Sequence, residues 1–478
     1  MTRLTSICAL ILLVSSCTSN HQVKTAIITG TVLSDIEQVE FERFKKNLAV
    51  PITPTYIAKV DSAGHFTMEI PISGISKGMM VCNNDRNSLV LIPGDKLNIT
   101  IDGDSLHFAG KGAERNSFLY QLEKVKKISK YDIMHSWYSK EHKLDSMFLM
   151  AADYFDIRTG ELAKFKESHK QEDVFSRFFE IESKIQHIYL LNNAPLAYSR
   201  KTKQDIDSLQ LPDGANKYKT FASIQNDEYL QCSDYIYLFS SLIKEETKKR
   251  MTQDSTLDKK EVSLSIIMDS LSGKTRESYM LRDIYFNLSY RKVDDPKLIE
   301  AFYEISADAD CKEVVDSELG KYKAKKAMIG ATLHQDILET VLFDSNEKEI
   351  TMADMLTRYK GKVVYLDIWS LACGSCRMAM PHSRKLKEAL TDKPIEFVYI
   401  TVDKKSSKLW NEVYKVSQTE ENHYRFKMGF DSKLHQLLSI IAVPTYLLID
   451  KEGNLVSYSA DKPYEAELKE QLLNLAAK

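Results

Sequence analysis

The chain of 478 residues lacks several features that would define its class at once. Its 65 basic and 67 acidic side chains nearly cancel, and it has no long block of like charge, which argues against a nucleic-acid or polyanion partner. It also has no internal repeat, no low-complexity segment and no Gly/Ser linker. Because one domain usually spans roughly 100 to 200 residues, the sequence predicts several domains in contact with each other.

Long apolar runs are missing too, since none reaches the roughly 20 residues that a membrane-spanning helix needs. The first residues, MTRLTSICALILLVSSC, combine a basic start at Arg3 with a short apolar run, which is typical of an export signal. VSSC resembles the lipobox of bacterial lipoproteins, so residues 1–16 are the predicted signal peptide and Cys17 the predicted lipidation site. An ordinary signal peptide that happens to contain a cysteine is the alternative.

The lipobox predicts where the protein resides. Residues 17–24 would form a short tether, and a lipid anchor would hold the protein to a membrane of the cell envelope, facing the periplasm. Which of the two membranes carries the anchor stays open. Disulfide bonds are permitted in that compartment.

The cysteines cannot form a complete disulfide framework. Without Cys8 in the signal peptide and the lipidated Cys17, five remain, and an odd number cannot pair completely. Three are scattered and are predicted to be buried small apolar side chains: Cys82, Cys232 and Cys311. Cys373 and Cys376 form the one cysteine motif.

Apolar spacing divides the chain into three predicted domains. In residues 25–113, HFTMEI and LNITI alternate with period two, which predicts an antiparallel β domain. In residues 114–326 glycine and proline are sparse, and Val174, Phe178 and Ile181 follow helical spacing, which predicts an all-α domain. In residues 327–478, KVVYLDIWS, FVYITVD, TYLLID and NLVSYS are strand candidates, and helix-like stretches separate the early ones. This order predicts a C-terminal α/β domain with a βαβ unit, a hairpin and a final helix.

The stretch WSLACGSCRMAMP places Cys373 and Cys376 three positions apart, between a strand-like and a helix-like run. At a helix start, unpaired backbone N–H groups and the positive end of the dipole lower a thiol pKa, as redox chemistry requires. This geometry predicts that Cys373 forms a mixed disulfide with a partner and that Cys376 resolves it. Asp367 precedes Cys373 by six positions, and a buried carboxyl there would exchange a proton with the resolving thiol. Strand alternation leaves it open whether Asp367 faces the core or solvent.

VVYLDIWSLACGSCRMAMP, with AVPTYLLIDKEGNLV downstream, resembles the TlpA/ResA-like thiol-disulfide oxidoreductases that bacteria export. The resemblance covers roughly residues 330–478 and implies a thioredoxin fold with no bound cofactor or metal. The expected partners are protein thiols or disulfides and an unidentified thiol electron donor. The matching positions are the redox disulfide Cys373–Cys376, the loop residues Gly374 and Ser375, the buried acid Asp367, the helix-bending Pro381, and the substrate-binding Trp369, Val443 and Pro444, the last in a cis peptide bond.

Two positions depart from this family. Ala372 stands where many relatives carry an aromatic residue, and Ser375 stands where proline would follow Gly374. Losing that proline frees a backbone N–H in the loop, so the redox direction, reductase or isomerase, stays open.

The N-terminal region carries a second, looser resemblance. LVLIPGDKLNITIDGDSLHFAGKGAERNSFL resembles the β domain that precedes thioredoxin modules in Bacteroidetes lipoproteins. The full order of lipobox, β domain, helical domain and thioredoxin module matches that group.

Three alternatives remain. The first is a copper-handling protein, in which Met378, Met380 and His382 would join the cysteines, although helical geometry puts the two methionines on different faces. The second is a peroxiredoxin-like peroxidase, with Ser370 at the position of that family's threonine. The third is a non-catalytic binding lipoprotein that uses the thioredoxin module as a scaffold.

Overall fold

The computed structural model describes residues 24–478 except 35, 44–54, 83–84, 214, 216–217, 292, 406–407, 420 and 441. The predicted signal peptide, the lipidation site at Cys17 and all but the last residue of the tether lie outside the described residues. The chain divides into two compact units, Met1–Arg282 and Asp283–Lys478. In the described part, none of the helices is both long and apolar enough to cross a membrane. The three domain ranges stay a prediction.

Two four-stranded sheets occupy the described N-terminal part of the first unit. Their strands are β1 Lys24–Val32, β2 Gln38–Arg43, β3 Thr55–Lys59, β4 His65–Ile72, β5 Ser76–Cys82, β6 Asp85–Leu91, β7 Lys96–Asp102 and β8 Ser105–Lys111. The strand orders are β4-β1-β7-β8 and β3-β2-β5-β6. Neighbouring strands in both sheets run antiparallel, except that β1 and β7 run parallel. Alternation does not encode strand direction, so the sequence pattern could not reveal this pair.

Alternating side chains of these strands form a hydrophobic core. In β4, Phe66, Met68 and Ile70 are buried and the residues between them are exposed, which confirms the predicted period-two strands. Strand β1 contributes Gly30, where a Cβ would lie only 2.4 Å from the carbonyl oxygen of Ile99. The close approach of the two strands therefore requires glycine at that position.

Helices follow the β strands, as predicted. They are α1 Ala113–Tyr120, α2 Lys130–Ser139, α3 Leu144–Ser168, α4 Asp173–Thr202, α5 Phe221–Ile224, α6 Tyr237–Gln253, α7 Lys259–Ser270 and α8 Gly273–Phe286. In α4, Phe178 and Ile181 are buried as predicted, but Val174 is 57% exposed. The helical face begins instead at Phe175, which is fully buried.

A buried network of charges joins strand β5 of the first unit to its helices. Arg158 of α3 is fully buried and contacts Glu123 at 3.2 Å and Glu182 at 3.0 Å. Lys77 of β5 contacts the same Glu182 at 2.8 Å. Because a buried charge is costly unless it is paired, these contacts bind the β strands and the first helices into one compact unit.

The second unit holds a seven-stranded sheet of order β10-β9-β13-β12-β11-β14-β15. Its strands are β9 Val341–Asp344, β10 Glu349–Thr351, β11 Val363–Trp369, β12 Ile395–Thr401, β13 His423–Phe426, β14 Thr445–Ile449 and β15 Leu455–Ser457. Its helices are α9 Pro296–Ile305, α10 Ala309–Ala327, α11 Gln335–Leu338, α12 Met352–Thr357, α13 Gly374–Ala389, α14 Leu409–Ser417, α15 Lys433–Leu438 and α16 Ala466–Ala477. The prediction of β regions, a helical region and a C-terminal α/β unit is confirmed.

Strand β11 lies inside this sheet and is buried along its whole length. It runs parallel to β12 and antiparallel to β14. Tyr365 and Trp369 face a core that includes α13, α14 and α16, whereas Leu366 and Ile368 face a core that includes α11, α12 and α15. Coverage of both faces explains why the strand has a continuous apolar run rather than alternation.

The sequence predicts four strands of this unit and misses β9, β10 and β13. Strand β13 has only four residues, and all four are buried although they include His423 and Arg425. Arg425 is buried with a partner, since its guanidinium contacts Glu347 at 2.7 Å. A short strand with polar buried residues shows neither an apolar run nor an alternation, so no local pattern marks it.

Candidate redox site

Strand β11 leads through a short loop to the cysteine motif at the start of α13. Cys373 is the N-cap of α13, and its sulfur accepts a hydrogen bond from the Cys376 N–H at 3.1 Å. The placement predicted from the sequence is confirmed. Free N–H groups and the positive end of the helix dipole therefore lie beside the Cys373 sulfur, where they favour a thiolate.

The two cysteines form a disulfide bond with an S–S length of 2.12 Å and a Cα–Cα distance of 5.3 Å. Cys376 is 1% exposed, whereas Cys373 is half-buried. A partner sulfur can therefore reach Cys373 but not Cys376. This difference agrees with the predicted order of attack and resolution, although it does not test the roles themselves.

The segment before β14 lies against the cysteines. The Val443–Pro444 peptide bond is cis, as the family resemblance implies. The carbonyl oxygen of Val443 lies 3.5 Å from the Cys373 sulfur. The structure thus brings the cysteine pair together with Val443, which lies 70 residues after Cys373 in the chain.

Three predicted site positions differ in their access to solvent. Gly374 and Ser375 are exposed at the first turn of α13. Trp369 is fully buried at the end of β11, so its side chain does not reach the surface in this structure. Its role in substrate binding stays a prediction.

Ser375 adds a hydroxyl beside the reactive sulfur. Its Oγ lies 3.3 Å from the Cys373 sulfur. A hydroxyl can donate a hydrogen bond to a thiolate, whereas the proline common at this position cannot. The departure from the family pattern therefore places a second donor next to the backbone N–H of Cys376.

We expect Ser375→Ala to raise the pKa of the Cys373 thiol by roughly half a unit, because the thiolate would lose a hydrogen-bond donor. The pKa follows from the pH dependence of iodoacetamide alkylation in protein that also carries Cys376→Ser. Ser375→Thr is the matched control, since it keeps the hydroxyl and should keep the profile. Equal profiles for the alanine and threonine variants would show that the hydroxyl does not act on the sulfur.

Asp367 faces the core, which settles the orientation that strand alternation left open. Its side chain is 2% exposed, and its Oδ1 has no hydrogen-bond partner among the described residues. Because alternate residues of β11 share a face, Asp367 lies on the side of Tyr365 and Trp369, whose core includes Cys376. Burial raises the pKa of the Asp367 carboxyl to about 8.

Four aromatic residues surround Asp367 on this face of the sheet. Tyr365 and Trp369 lie two positions before and after it on β11, and Tyr399 and Tyr446 lie opposite it on β12 and β14. Burial raises the pKa of Tyr399 to about 12 and raises the pKa values of Tyr365 and Tyr446 as well. The three tyrosines therefore stay neutral near pH 8, where Asp367 titrates.

Sequence reasoning missed Asp403, which follows β12. Its Oδ1 accepts a hydrogen bond from the Ser370 hydroxyl at 2.7 Å. Ser370 occupies the position of the peroxidase threonine in the second alternative, but its hydroxyl donates its hydrogen bond to Asp403. The available signal was an acidic residue two positions beyond a buried strand, where functional side chains of α/β sheets often lie.

The methionines that suggested copper do not converge. Met378 is 73% exposed and Met380 is 1% exposed, so the predicted separation of the two side chains is confirmed. His382 contacts the ring of Tyr464 at a centroid distance of 5.5 Å. Over the described residues, no group of three or more His, Cys, Asp and Glu side chains is arranged to hold a metal ion.

The region of the chain that contains this site matches a known protein family. Residues 361–455 match the family described as Thioredoxin-like. The C-terminal unit carries a thioredoxin-like domain. The matched range includes β11, the cysteine motif, the cis peptide bond and β14.

The curated relatives of this thioredoxin-like domain are thiol-disulfide oxidoreductases. The thiol-disulfide oxidoreductase ResA of Bacillus thuringiensis subsp. konkukian is 25% identical over 134 residues, which cover 28% of this chain and 72% of that protein. ResA of Bacillus cereus strain ZK / E33L is 28% identical over 134 residues, covering 28% and 69%. These homologues confirm the prediction of a thiol-disulfide oxidoreductase.

Solved structures are similar over the same region. The thioredoxin domain of a thiol-disulfide oxidoreductase from Bacteroides vulgatus is 19% identical, covers 30% of this chain and 99% of that chain, and has a TM-score of 0.25. A thiol:disulfide interchange protein from Bacteroides sp. is 21% identical, covers 29% and 86%, and has a TM-score of 0.25.

Proposed function

We propose that this protein is an exported, lipid-anchored thiol-disulfide oxidoreductase that exchanges disulfides with protein partners through Cys373 and Cys376. One observation carries the proposal. The accessible sulfur of Cys373 caps α13, is bonded to the buried sulfur of Cys376, and lies 3.5 Å from the Val443 carbonyl oxygen. Such a site can take up and pass on a pair of electrons without a bound cofactor.

In the reducing direction, both cysteines begin as thiols. The Cys373 thiolate attacks one sulfur of a partner disulfide, the partner's S–S bond breaks, and its other sulfur leaves as a thiolate that takes up a proton. Asp367 accepts the proton of the Cys376 thiol, and the Cys376 thiolate attacks the Cys373 sulfur. The mixed disulfide breaks and the second partner sulfur leaves, so two electrons have passed to the partner.

The partner's backbone would bind beside the cis peptide bond. The Val443 carbonyl next to the Cys373 sulfur can accept a peptide N–H, and an extended segment could pair there as an added strand. Main-chain pairing depends little on sequence, which suits an enzyme that acts on several proteins. An unidentified thiol protein would return the domain to its starting state.

Export and anchoring rest on the N-terminus. The signal-like residues 1–16 and the lipobox cysteine Cys17 support attachment to a membrane of the cell envelope, with the domains facing the periplasm. We place a β domain at residues 25–113, a helical domain at 114–326 and the redox domain at 327–478.

The proposal predicts that Cys376→Ser traps partners in cells, because the mixed disulfide on Cys373 can no longer be resolved. Non-reducing gels should show covalent adducts that a reductant releases, and adding Cys373→Ser should remove them. If no adducts form and the purified wild type contains copper, the metal-handling alternative replaces the oxidoreductase.

A further inference from the structure

The segment that follows β12 is tied to the loop that carries Cys373. The Oδ1 of Asp403 accepts the Ser370 hydroxyl at 2.7 Å, and its Oδ2 accepts the Leu371 N–H at 2.7 Å. The Thr401 hydroxyl donates to the same Oδ2 at 2.5 Å. One carboxylate therefore accepts hydrogen bonds from both residues that follow β11 and from the last residue of β12.

These contacts continue to the reactive cysteine. The Cys373 N–H donates to the carbonyl oxygen of Ser370 at 3.1 Å, and the Ala372 N–H donates to the Ser370 hydroxyl at 3.3 Å. The Ser370 hydroxyl therefore links Asp403 to Ala372, and the Ser370 carbonyl oxygen links the same residue to Cys373. The conformation that makes Cys373 the N-cap of α13 depends on this short hydrogen-bonded turn.

Asp403 is itself held on both sides. The Val402 N–H donates to the Trp369 carbonyl oxygen at 3.0 Å. Beyond it, Lys405 contacts Glu347 at 3.3 Å, and Glu347 accepts hydrogen bonds from Arg425 and from the Trp410 indole. The segment of Asp403 is therefore held by a backbone hydrogen bond on one side and by a surface ion pair on the other.

We propose that Asp403 is a positioning residue that keeps the Cys373 sulfur at the start of α13. The inference rests on the proposed function, since it concerns the same sulfur. Two effects of the carboxylate oppose each other. Its negative charge disfavours a nearby thiolate, whereas the loop geometry that it holds directs the Cys376 N–H and the helix dipole at the sulfur and favours the thiolate. If positioning outweighs the charge, removing the carboxylate raises the pKa of the Cys373 thiol; if the charge outweighs positioning, it lowers that pKa.

The test is the pH dependence of iodoacetamide alkylation of Cys373 in protein that carries Cys376→Ser. We expect Asp403→Ala to raise the pKa of the Cys373 thiol by about one unit and to slow alkylation at neutral pH about tenfold, because the loop would no longer keep the sulfur at the helix start. A profile that is unchanged, or shifted to lower pH as loss of a negative charge alone would cause, overturns the inference.

Two further variants make the result specific. Asp450→Ala is the matched control, because Asp450 also accepts loop N–H groups, from Glu452 at 3.1 Å and Asn454 at 2.8 Å, and within the described part of the chain its hydrogen bonds do not reach the cysteine loop. Its alkylation profile should equal that of the parent. Should Asp403→Ala fail to fold, Ser370→Ala should raise the same thiol pKa by a smaller amount, and no rise there overturns the inference.

Alkylation separates this inference from the proposed function because it needs no protein partner. A raised thiol pKa in Asp403→Ala supports positioning even if wild-type protein reduces no disulfide. Conversely, if the wild type exchanges disulfides fully and the pKa of the Cys373 thiol is unchanged in the variant, the proposed function stands, but Asp403 does not contribute to it.

Discussion

Replacing Cys373 with serine is expected to lower the rate of disulfide exchange by at least about a thousandfold, to the background of the assay. Serine has no thiolate at neutral pH and cannot form a disulfide, and the buried Cys376 cannot take its place, since it is only 1% exposed. The measurement is the reduction of a disulfide-linked fluorescent peptide by purified protein, with a small dithiol as electron donor.

The matched control is Cys82→Ser, another cysteine of the same chain. Cys82 is buried in β5, and burial raises the pKa of its thiol to about 11, so it carries almost no thiolate at neutral pH. The exchange rate should not change. Cys376→Ser should differ from both: it should form the first mixed disulfide at close to the wild-type rate but turn over slowly. Exchange by Cys373→Ser at more than a tenth of the wild-type rate contradicts the assignment of the attacking sulfur.

Asp367→Asn is expected to slow the resolving step about a hundredfold and to leave the first attack unchanged. The carboxyl lies on the face of β11 whose core includes Cys376, and burial raises its pKa to about 8, so its ionised form can accept the thiol proton. In the wild type, the rate of partner release should rise as the pH approaches 8. The asparagine variant has no such group and should lack that rise. Stopped-flow measurement of partner release across pH 5 to 9 tests both statements.

The same carboxyl should make stability depend on pH. Its pKa is 3.8 in its ordinary environment and about 8 when buried here, so between these values the folded protein retains a proton that the unfolded chain has released. The stabilisation is complete below pH 4 and is lost as the pH rises to 8, by up to about 1.4 kcal/mol per pH unit. Above pH 8 both states are ionised and no further loss occurs.

Urea denaturation of Asp367→Asn and wild type at pH 5 and pH 8 isolates this contribution, because other groups cancel in the difference. The free energy of unfolding of the variant should exceed that of the wild type by more at pH 8 than at pH 5. Tyr446→Phe is the control, since it alters the aromatic surroundings but keeps the carboxyl, and it should retain the wild-type pH dependence. An equal difference at both pH values would show that Asp367 is ionised throughout.

The sequence predicted the parts of the site that lie within a few residues of one another. Cys373 and Cys376 are three residues apart, and a strand-like run before them with a helix-like run after them is enough to place the first at a helix start. Asp367 could be named but not oriented, because alternation shows that neighbours point to opposite faces without showing which face is covered. Asp403 was missed, since its partner Ser370 lies 33 positions away.

The fold was likewise predictable in its local elements but not in how separate segments pair. Period two in β4 and helical spacing in α4 show in the sequence because each element repeats one geometry over many residues. The parallel pairing of β1 with β7 does not show there, nor does the burial of β13, since both depend on which segments meet after the chain has folded.

By itself, the sequence determined the elements that carry a clear apolar run or period, the cysteine pair and the start of α13, because hydrophobic periodicity and helix capping act over a few residues. Only the tertiary structure decided that Asp367 lies on the face of β11 whose core includes Cys376, that the Val443 carbonyl meets the Cys373 sulfur, and that Asp403 accepts hydrogen bonds from the loop before Cys373. Those relations join separate strands of one sheet. Strand pairing and the coverage of both faces create them, and no short stretch of sequence contains that information.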